Sequence, residues 1–246
     1  MALVKKNKWH IAYKKRNGNI FDFSDLETIE SPPDTYFADP FLFSHEGKDY
    51  VFFEYYDYEK GKIAMMDLES KEIETVLEKN HHLSFPAVVE IYGQIYMTPE
   101  QGNSGKLEIY RSSRFPDKWE VVAKVADGSF ADPILTYKNG YYVVNASDSN
   151  NRAVTYRSTK IDGKWDLIRS EDDEYNRPAG QPFIWQGREL KPYQDCLKTY
   201  GGAVVLKEGE KVVKRIEPTI FPKANGLHTF NVSDKYVILD YRIPLQ

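Results

Sequence analysis

A proline preceded by a strand start recurs along the chain at nearly constant spacing. This feature restricts the fold more than any other. Pro40 in "ADPFLF", Pro86 in "SFPAVVE", Pro133 in "ADPILTY" and Pro182 in "GQPFIWQ" are 46, 47 and 49 residues apart, and a further 47 residues reaches Thr229 in "LHTFNVS". Five units of about 47 residues account for the chain, and a period of this length marks a blade or solenoid repeat. Each unit opens with two apolar strands around a tight turn, as in "FLFSHEGKDYVFFEYY", "AVVEIYGQIYMTPE", "ILTYKNGYYVVNAS" and "FNVSDKYVILDYR". Their turns carry EGK, YGQ, KNG and SDK, which is hairpin chemistry. A third strand ends in basic or small polar residues ("GKLEIYRSS", "NRAVTYRST"), and a fourth is introduced by Trp ("DKWEVVAKV", "GKWDLIRSE"). Four antiparallel strands per unit describe a propeller blade.

The ends of the chain carry the argument further. "KWHIAYKKR" resembles a third strand, and "HTFNVSDKYVILDYRI" supplies only a first and a second. The expectation is an all-β chain, a single five-bladed β-propeller domain over 1–246, closed by N- and C-terminal strands that share one blade. Such closure leaves no open sheet edge. A β-sandwich with coincidental spacing is the rival fold.

Composition narrows the function classes. The net charge is -4, so no global basic field draws the chain to nucleic acid. The local exception is "KKNKWHIAYKKR" at 5–16. It reads as a solvated edge strand whose lysines discourage aggregation, with an anionic surface or nucleic acid as the weaker option. The single cysteine, Cys196, excludes an internal disulfide. No signal-peptide core and no apolar run of membrane-spanning length occur, so a cytoplasmic protein without a membrane span is expected. No zinc spacing, phosphate-binding glycine loop or nucleophile elbow is present. Aromatic residues reach 14%, and such residues often line sugar sites.

In a propeller the inner strands start around one tunnel mouth, to which the second strands return. The aligned starts are Asp39, Phe85, Asp132, Gln181 and His228. The second strands end at Glu54, Glu100, Asn145 to Asp148, Gln194 with Asp195, and Asp240. Acids spread over 200 positions should therefore converge. Crowded, half-buried carboxylates shift each other's pKa values, and such pairs do acid and base work on glycosidic bonds. Asp39, Asp132, Glu54 and Glu100 are the candidate catalytic residues. An Asp-Pro is also an ordinary turn former. The polar segment 176–202 adds Arg177, Gln181, Arg188, Gln194, Asp195 and Tyr200 as candidate substrate contacts. The two arginines would hold an anion, orient the acids or pair structurally between blades. His228 would contact substrate, plug the tunnel or bind a divalent cation there. No other cofactor is expected.

These motifs also carry a resemblance. A five-bladed propeller with tunnel-facing acids resembles the furanosidase clan that includes family 43 glycoside hydrolases. More closely, "ADPFLF", "YVFFE", "KGKI", "HLSFPAVVE", "GQIYMTPE", "RPAG", "GRELKPYQDC", "YGG" and "HTF" resemble the N-terminal propeller domain of plant glucosamine inositolphosphorylceramide transferases and its bacterial relatives. The likeness runs from about Trp9 to Arg242 and implies a carbohydrate-active site. In family 43, one Asp acts as base, a second modulates pKa and a Glu donates the proton. Asp39 matches the first role. Phe85 stands where the next acid belongs, Asp132 is the next acid in register, and Glu54 and Glu100 remain for the proton donor. These departures speak against simple hydrolysis, and the missing export signal together with the arginines among the acids favours a glycosyltransferase. It would move a sugar, with a pentose among the options, from a sugar-nucleotide donor to a glycan or other hydroxyl acceptor. Asp39 would be the base, and Arg177 with Arg188 would hold the donor diphosphate. A furanosidase-type hydrolase and a non-catalytic glycan-binding propeller are the alternatives.

Overall fold

The computed structural model describes residues 7–244, which leaves Lys5 and Lys6 of the basic stretch outside the described residues. The first strands in the chain are β1 (Asn7–Lys15) and β2 (Glu27–Ile29). Blade I is β3 (Tyr36–His45), β4 (Lys48–Tyr56), β5 (Gly61–Asp67) and β6 (Ile73–Leu77). Blade II is β7 (Ser84–Ile91), β8 (Gln94–Glu100), β9 (Lys106–Arg114) and β10 (Lys118–Asp127). Blade III is β11 (Phe130–Lys138), β12 (Tyr141–Asp148), β13 (Ala153–Ser158) and β14 (Asp166–Glu171). Blade IV is β15 (Phe183–Trp185), β16 (Arg188–Asp195), β17 (Ala203–Glu208) and β18 (Lys211–Ile216). Finally β19 (Phe230–Val232) and β20 (Tyr236–Pro244) join the first two strands in the order β19-β20-β1-β2, which is blade V. All pairings are antiparallel, as hairpin-connected strands require.

The shared blade is as the sequence leads one to expect, but β1 is not an edge strand. It pairs with β20 over nine residues and with β2 on its other side. Lys14 is consequently buried, and its ammonium donates to the carbonyls of Asp22 and Ser24. The hairpins of blades I to IV turn through Glu46-Gly47, Tyr92-Gly93, Asn139-Gly140 and Gln186-Gly187, with positive φ at both central residues. That is the type I′ turn, whose twist matches paired strands.

The repeated prolines mark bulges. The ladder slips between Ala38 and Phe41, Ser84 and Ala87, and Ala131 and Ile134. At each slip one residue adopts positive φ: Asp39 (54°), Phe85 (49°) and Asp132 (54°). Asp tolerates this conformation better than most side chains. Phe85 does not, but it is fully buried and packs edge-on against Phe41 at 4.8 Å. Core packing thus explains the missing acid in blade II.

Four clusters of buried hydrophobic side chains join neighbouring blades. Phe41, Phe52, Phe85 and Met97 join I to II, and Ile109, Leu135 and Val144 join II to III. Leu190, Leu206, Phe230 and Leu239 join IV to V, and Ile11, Phe37, Val51 and Ile238 join V to I. Ile11 lies on the strand that closes the ring. Ile11→Ala is therefore expected to cost about 2–5 kcal/mol, read as a lower midpoint in urea unfolding.

Candidate active site

The bulges fix where the acids go. A bulged residue turns its backbone N–H out of the ladder, and a buried N–H needs an acceptor. Here the acceptors are acidic or amide side chains. Asp39 N–H donates to Asp240 Oδ2 at 3.0 Å, and Phe85 N–H donates to Asp39 Oδ2 at 3.2 Å. Asp132 N–H donates to Glu100 Oε2 at 3.0 Å, and Gln181 N–H donates to Asn231 Oδ1 at 2.9 Å. All four bonds cross from one blade to the next, so the carboxylates gather around the tunnel mouth.

Asp240 is fully buried and accepts four hydrogen bonds, from the amides of Asp39, His228 and Thr229 and from the Thr229 hydroxyl. Its Oδ2 also lies 2.6 Å from His228 Nδ1, and His228 Nε2 lies 3.4 Å from Asp39 Oδ1. Burial opposes a charge on His228, but the Asp240 and Asp39 carboxylates outweigh it and push its pKa up to about 9. Asp240 is held low: burial raises it, and the His228 charge with the surrounding donors outweighs the burial. Asp39 goes the other way. Burial lifts it well above the usual carboxylate range; His228 opposes the rise, while Glu54, Asp240 and Asp132 add to it. Asp39 Oδ1 has no hydrogen-bond partner although it is buried.

The second half of the mouth is built on Arg177. Its Nε lies 2.5 Å from Asp132 Oδ2 and its Nη2 3.8 Å from Glu100 Oε2. Asp132 is closed off, with a side chain 3% exposed, whereas that of Glu100 is 23% exposed. Burial and the neighbouring Asp132 push Glu100 up to about 7, against the pull of Arg177. Tyr200, nearly half exposed, lies under the Arg177 guanidinium at 5.1 Å and edge-on to His228 at 5.4 Å. Glu54 completes the acids. Its Oε1 is buried without a hydrogen bond but 3.0 Å from His82 Nε2.

Asp39, Asp132, Glu54, Glu100, Arg177, Tyr200 and His228 therefore come together. The other candidates lie elsewhere. Arg188 follows the β15–β16 turn, where it pairs with Glu208 at 3.5 Å and lies over Trp185. Six strand residues, about 20 Å, separate it from Gln194, whose amide bonds the Arg177 carbonyl. No single diphosphate spans that gap, so the paired-arginine clamp is not formed. Gln194 donates to the Pro178 carbonyl, and Asp195 pairs with Arg215 and caps Leu197. Both brace blade IV. Gln181 faces the seam between blades III and IV. Burial pushes the Cys196 thiol up, which suits an inert group.

Sequence reasoning passed over four contributors. Trp9 stacks on His228 at 3.8 Å, and the Arg242 guanidinium lies over the Trp9 ring at 5.3 Å from its centroid. His82 accepts the Gly61 amide at Nδ1, which fixes the ring beside Glu54. Tyr36 rises in pKa through burial and the nearby Glu54 and Asp39. The pair "HHLSFP" just before the second bulge was the available signal for His82. Asp39, His228 and Asp240 are close enough to share an ion. Asp240, however, already spends its oxygens on four donors, so it is a poor metal ligand and the trio fits a cation badly.

Comparison with known proteins adds the family context. A family model described as "Glucosamine inositolphosphorylceramide transferase 1, N-terminal" matches residues 19–216. Glucosamine inositolphosphorylceramide transferase 1 of Oryza sativa subsp. indica is 29% identical over 203 residues, covering 74% of this chain and 27% of that protein. The Arabidopsis thaliana protein of the same name is 28% identical over 207 residues, covering 74% and 26%. The chain thus spans about a quarter of the length of these curated relatives. Among solved structures, Trypanosoma rangeli sialidase with sialic acid aligns with TM-score 0.53 at 12% identity, over 98% of this chain and 52% of that one. Penicillium chrysogenum α-L-arabinanase with arabinobiose aligns with TM-score 0.53 at 15% identity, over 85% and 69%. At such identities the likeness concerns the fold alone.

Two outcomes test this electrostatic arrangement. Asp240→Ala leaves the His228 charge buried and uncompensated and is expected to cost about 3–5 kcal/mol. The folded state also holds the His228 proton more tightly than the unfolded chain, from an ordinary value of 6.5 up to about 9. That stabilisation is complete below pH 6.5 and is lost as pH rises through 9. Melting temperature should fall across that window, and His228→Gln should flatten the decline.

Proposed function

Because the chain belongs to the family of glucosamine inositolphosphorylceramide transferase 1 N-terminal domains, we propose that its tunnel mouth binds a sugar and transfers the glycosyl group to a hydroxyl acceptor. The carrying observation is the contrast between two carboxyls of one mouth: Glu100, partly exposed and pushed up to about 7, and Asp39, deeper and also raised. A group with pKa near the working pH is the best proton donor. Glu100 protonates the departing oxygen of the donor. Asp39, a stronger base than an ordinary carboxylate, takes the proton of the incoming hydroxyl. Arg177 and Asp132 position Glu100, and His82 positions Glu54. Tyr200 offers its exposed ring to a sugar face.

The donor's leaving group is the finer part of the proposal. Arg177 is already paired with Asp132 and Glu100. A nucleoside diphosphate would thus meet a mouth dominated by carboxylates and would enter best as a divalent-cation complex. This same observation favours a second reading, in which a neutral glycoside is the donor and water the acceptor, which is hydrolysis. The whole-length relatives are named transferases, and we carry that reading to this chain as the leading one.

Thermal shift separates the two. Sugar nucleotides, with and without magnesium, are compared with neutral oligosaccharides. A ligand at 100 times its Kd adds about 2.7 kcal/mol. Stabilisation by a sugar nucleotide, lost in Arg177→Ala, supports the transferase; stabilisation by oligosaccharides alone, with sugar release into water, supports hydrolysis. In either case kcat/KM should fall as pH rises through about 7, because the acid form of Glu100 is lost. Glu100→Gln should lower kcat by about 10²–10⁴-fold. A falling limb near pH 7 that persists unchanged in Glu100→Gln would remove Glu100 as the donor.

A further inference from the structure

The seam between blades III and IV differs from the other four. Among the described residues, no buried hydrophobic cluster contains members of both blades. The contacts there are polar: Arg177 with Asp132, and Lys138 with Glu189 at 3.2 Å. The inner strand of blade IV is also short, with three residues in β15 against nine in β11. The space this leaves is a cleft of 620 Å³, reaching from Gln181 to the hairpin side at Tyr92 and Lys138. It shares none of Asp39, Glu54, Glu100, Asp132 or Tyr200 with the mouth.

We propose that this cleft is a second ligand site, which takes a neutral oligosaccharide. The argument does not depend on the chemistry assigned to the mouth. The lining charges, Glu90 and Glu189 with Lys138 and Lys191, cancel, so the cleft has no net field for an ion. Gln181 Nε2 is buried in its wall with no acceptor. An orphan amide of this kind costs about 1–3 kcal/mol unless a ligand or water satisfies it. The Asn145 side chain lines the same wall. Tyr137 lies edge-on to Tyr92 at 5.0 Å, and Tyr92 is 75% exposed at the rim. Ile134 and Val143 supply an apolar floor. Sugars present hydroxyl edges and C–H faces together, and this lining offers amides for the first and aromatic or aliphatic carbon for the second. The volume suits about two or three sugar rings, within the usual size range of ligand pockets.

The test is NMR observation of the side-chain amides of Gln181 and Asn145 during titration with cellotriose, xylotriose, maltotriose, arabinotriose and galactobiose. Titrations use the wild-type chain and Glu100→Gln, in which a sugar is not consumed at the mouth. We expect saturable shifts of both amides with at least one of these sugars, with the same Kd in Glu100→Gln. The Kd should weaken about tenfold, which is about 1.4 kcal/mol, in Gln181→Ala and again in Tyr137→Ala. Tyr137 lies towards the rim, so that variant keeps the experiment decisive if Gln181→Ala fails to fold. The proposal is overturned if none of the sugars moves these amides in the folded chain. It is equally overturned if the shifts vanish in Glu100→Gln, which would assign them to the mouth, or if the folded cleft variants bind as the wild type does.

Discussion

The carboxylate of Asp240 is the interaction on which the mouth depends. It stands on the strand that receives β1, where the two ends of the chain meet, and it answers donors from two places at once. The His228 and Thr229 amides come from its own blade, and the Asp39 amide comes from 201 residues away. An unpaired buried amide costs about as much as a lost hydrogen bond. The bulge at Asp39 is therefore affordable only where such an acceptor exists. The bulge in turn aims the Asp39 side chain at the Phe85 amide and at His228. Fold closure and the position of the leading catalytic candidate are one fact.

The same logic sorts the charges. Asp240 is closed off by donors and by a cation, which hold its carboxyl low, and Asp132 is closed off by Arg177. His228 and Arg177 are the matching fixed positive groups, each held between two acids. Asp39 and Glu100 receive the remainder: burial without full compensation. Their carboxyls rise because every nearby cation is already committed. A mouth built this way holds two carboxyls above the usual carboxylate range, Glu100 at about 7 and Asp39 raised by its burial.

Much of the fold was legible because its signals are local. The 47-residue period, the I′ turns and the incomplete first and last units each follow from short stretches read in register. The acids of the mouth followed from that register, since Asp39, Asp132, Glu54 and Glu100 hold repeat-equivalent places. What did not follow was direction. Arg188 and Arg177 are close in sequence, but a strand of β16 separates them, so a polar-rich segment looked like one site when it feeds two ends of a blade. Gln194 and Asp195 read as substrate contacts, and in the fold they bond the Pro178 carbonyl and Arg215. Trp9 and His82 were missed because their partners, His228 and Glu54, lie in other units or across a turn, and periodicity carries no information about such contacts.

The seam between blades III and IV shows how a ring can afford a wet joint. Four apolar seams and the shared blade V fix the relative positions of the five sheets, so the fifth seam need not contribute a core. The segment that crosses it is pinned instead by its backbone. The Gln194 N–H donates to the Arg177 carbonyl and its side-chain amide to the Pro178 carbonyl, while the Ala179 N–H donates to the Pro192 carbonyl and the Ala179 carbonyl accepts from the Phe230 N–H. Gly180 then passes so close to Phe230 that a Cβ would meet its carbonyl at 2.3 Å. With the backbone held on both sides, the side chains are released for other work. Arg177 points to the carboxylates of the mouth, and four residues later Gln181 points into the cleft. One short pinned stretch thus supplies a side chain to each of two sites, which any account of the function must connect.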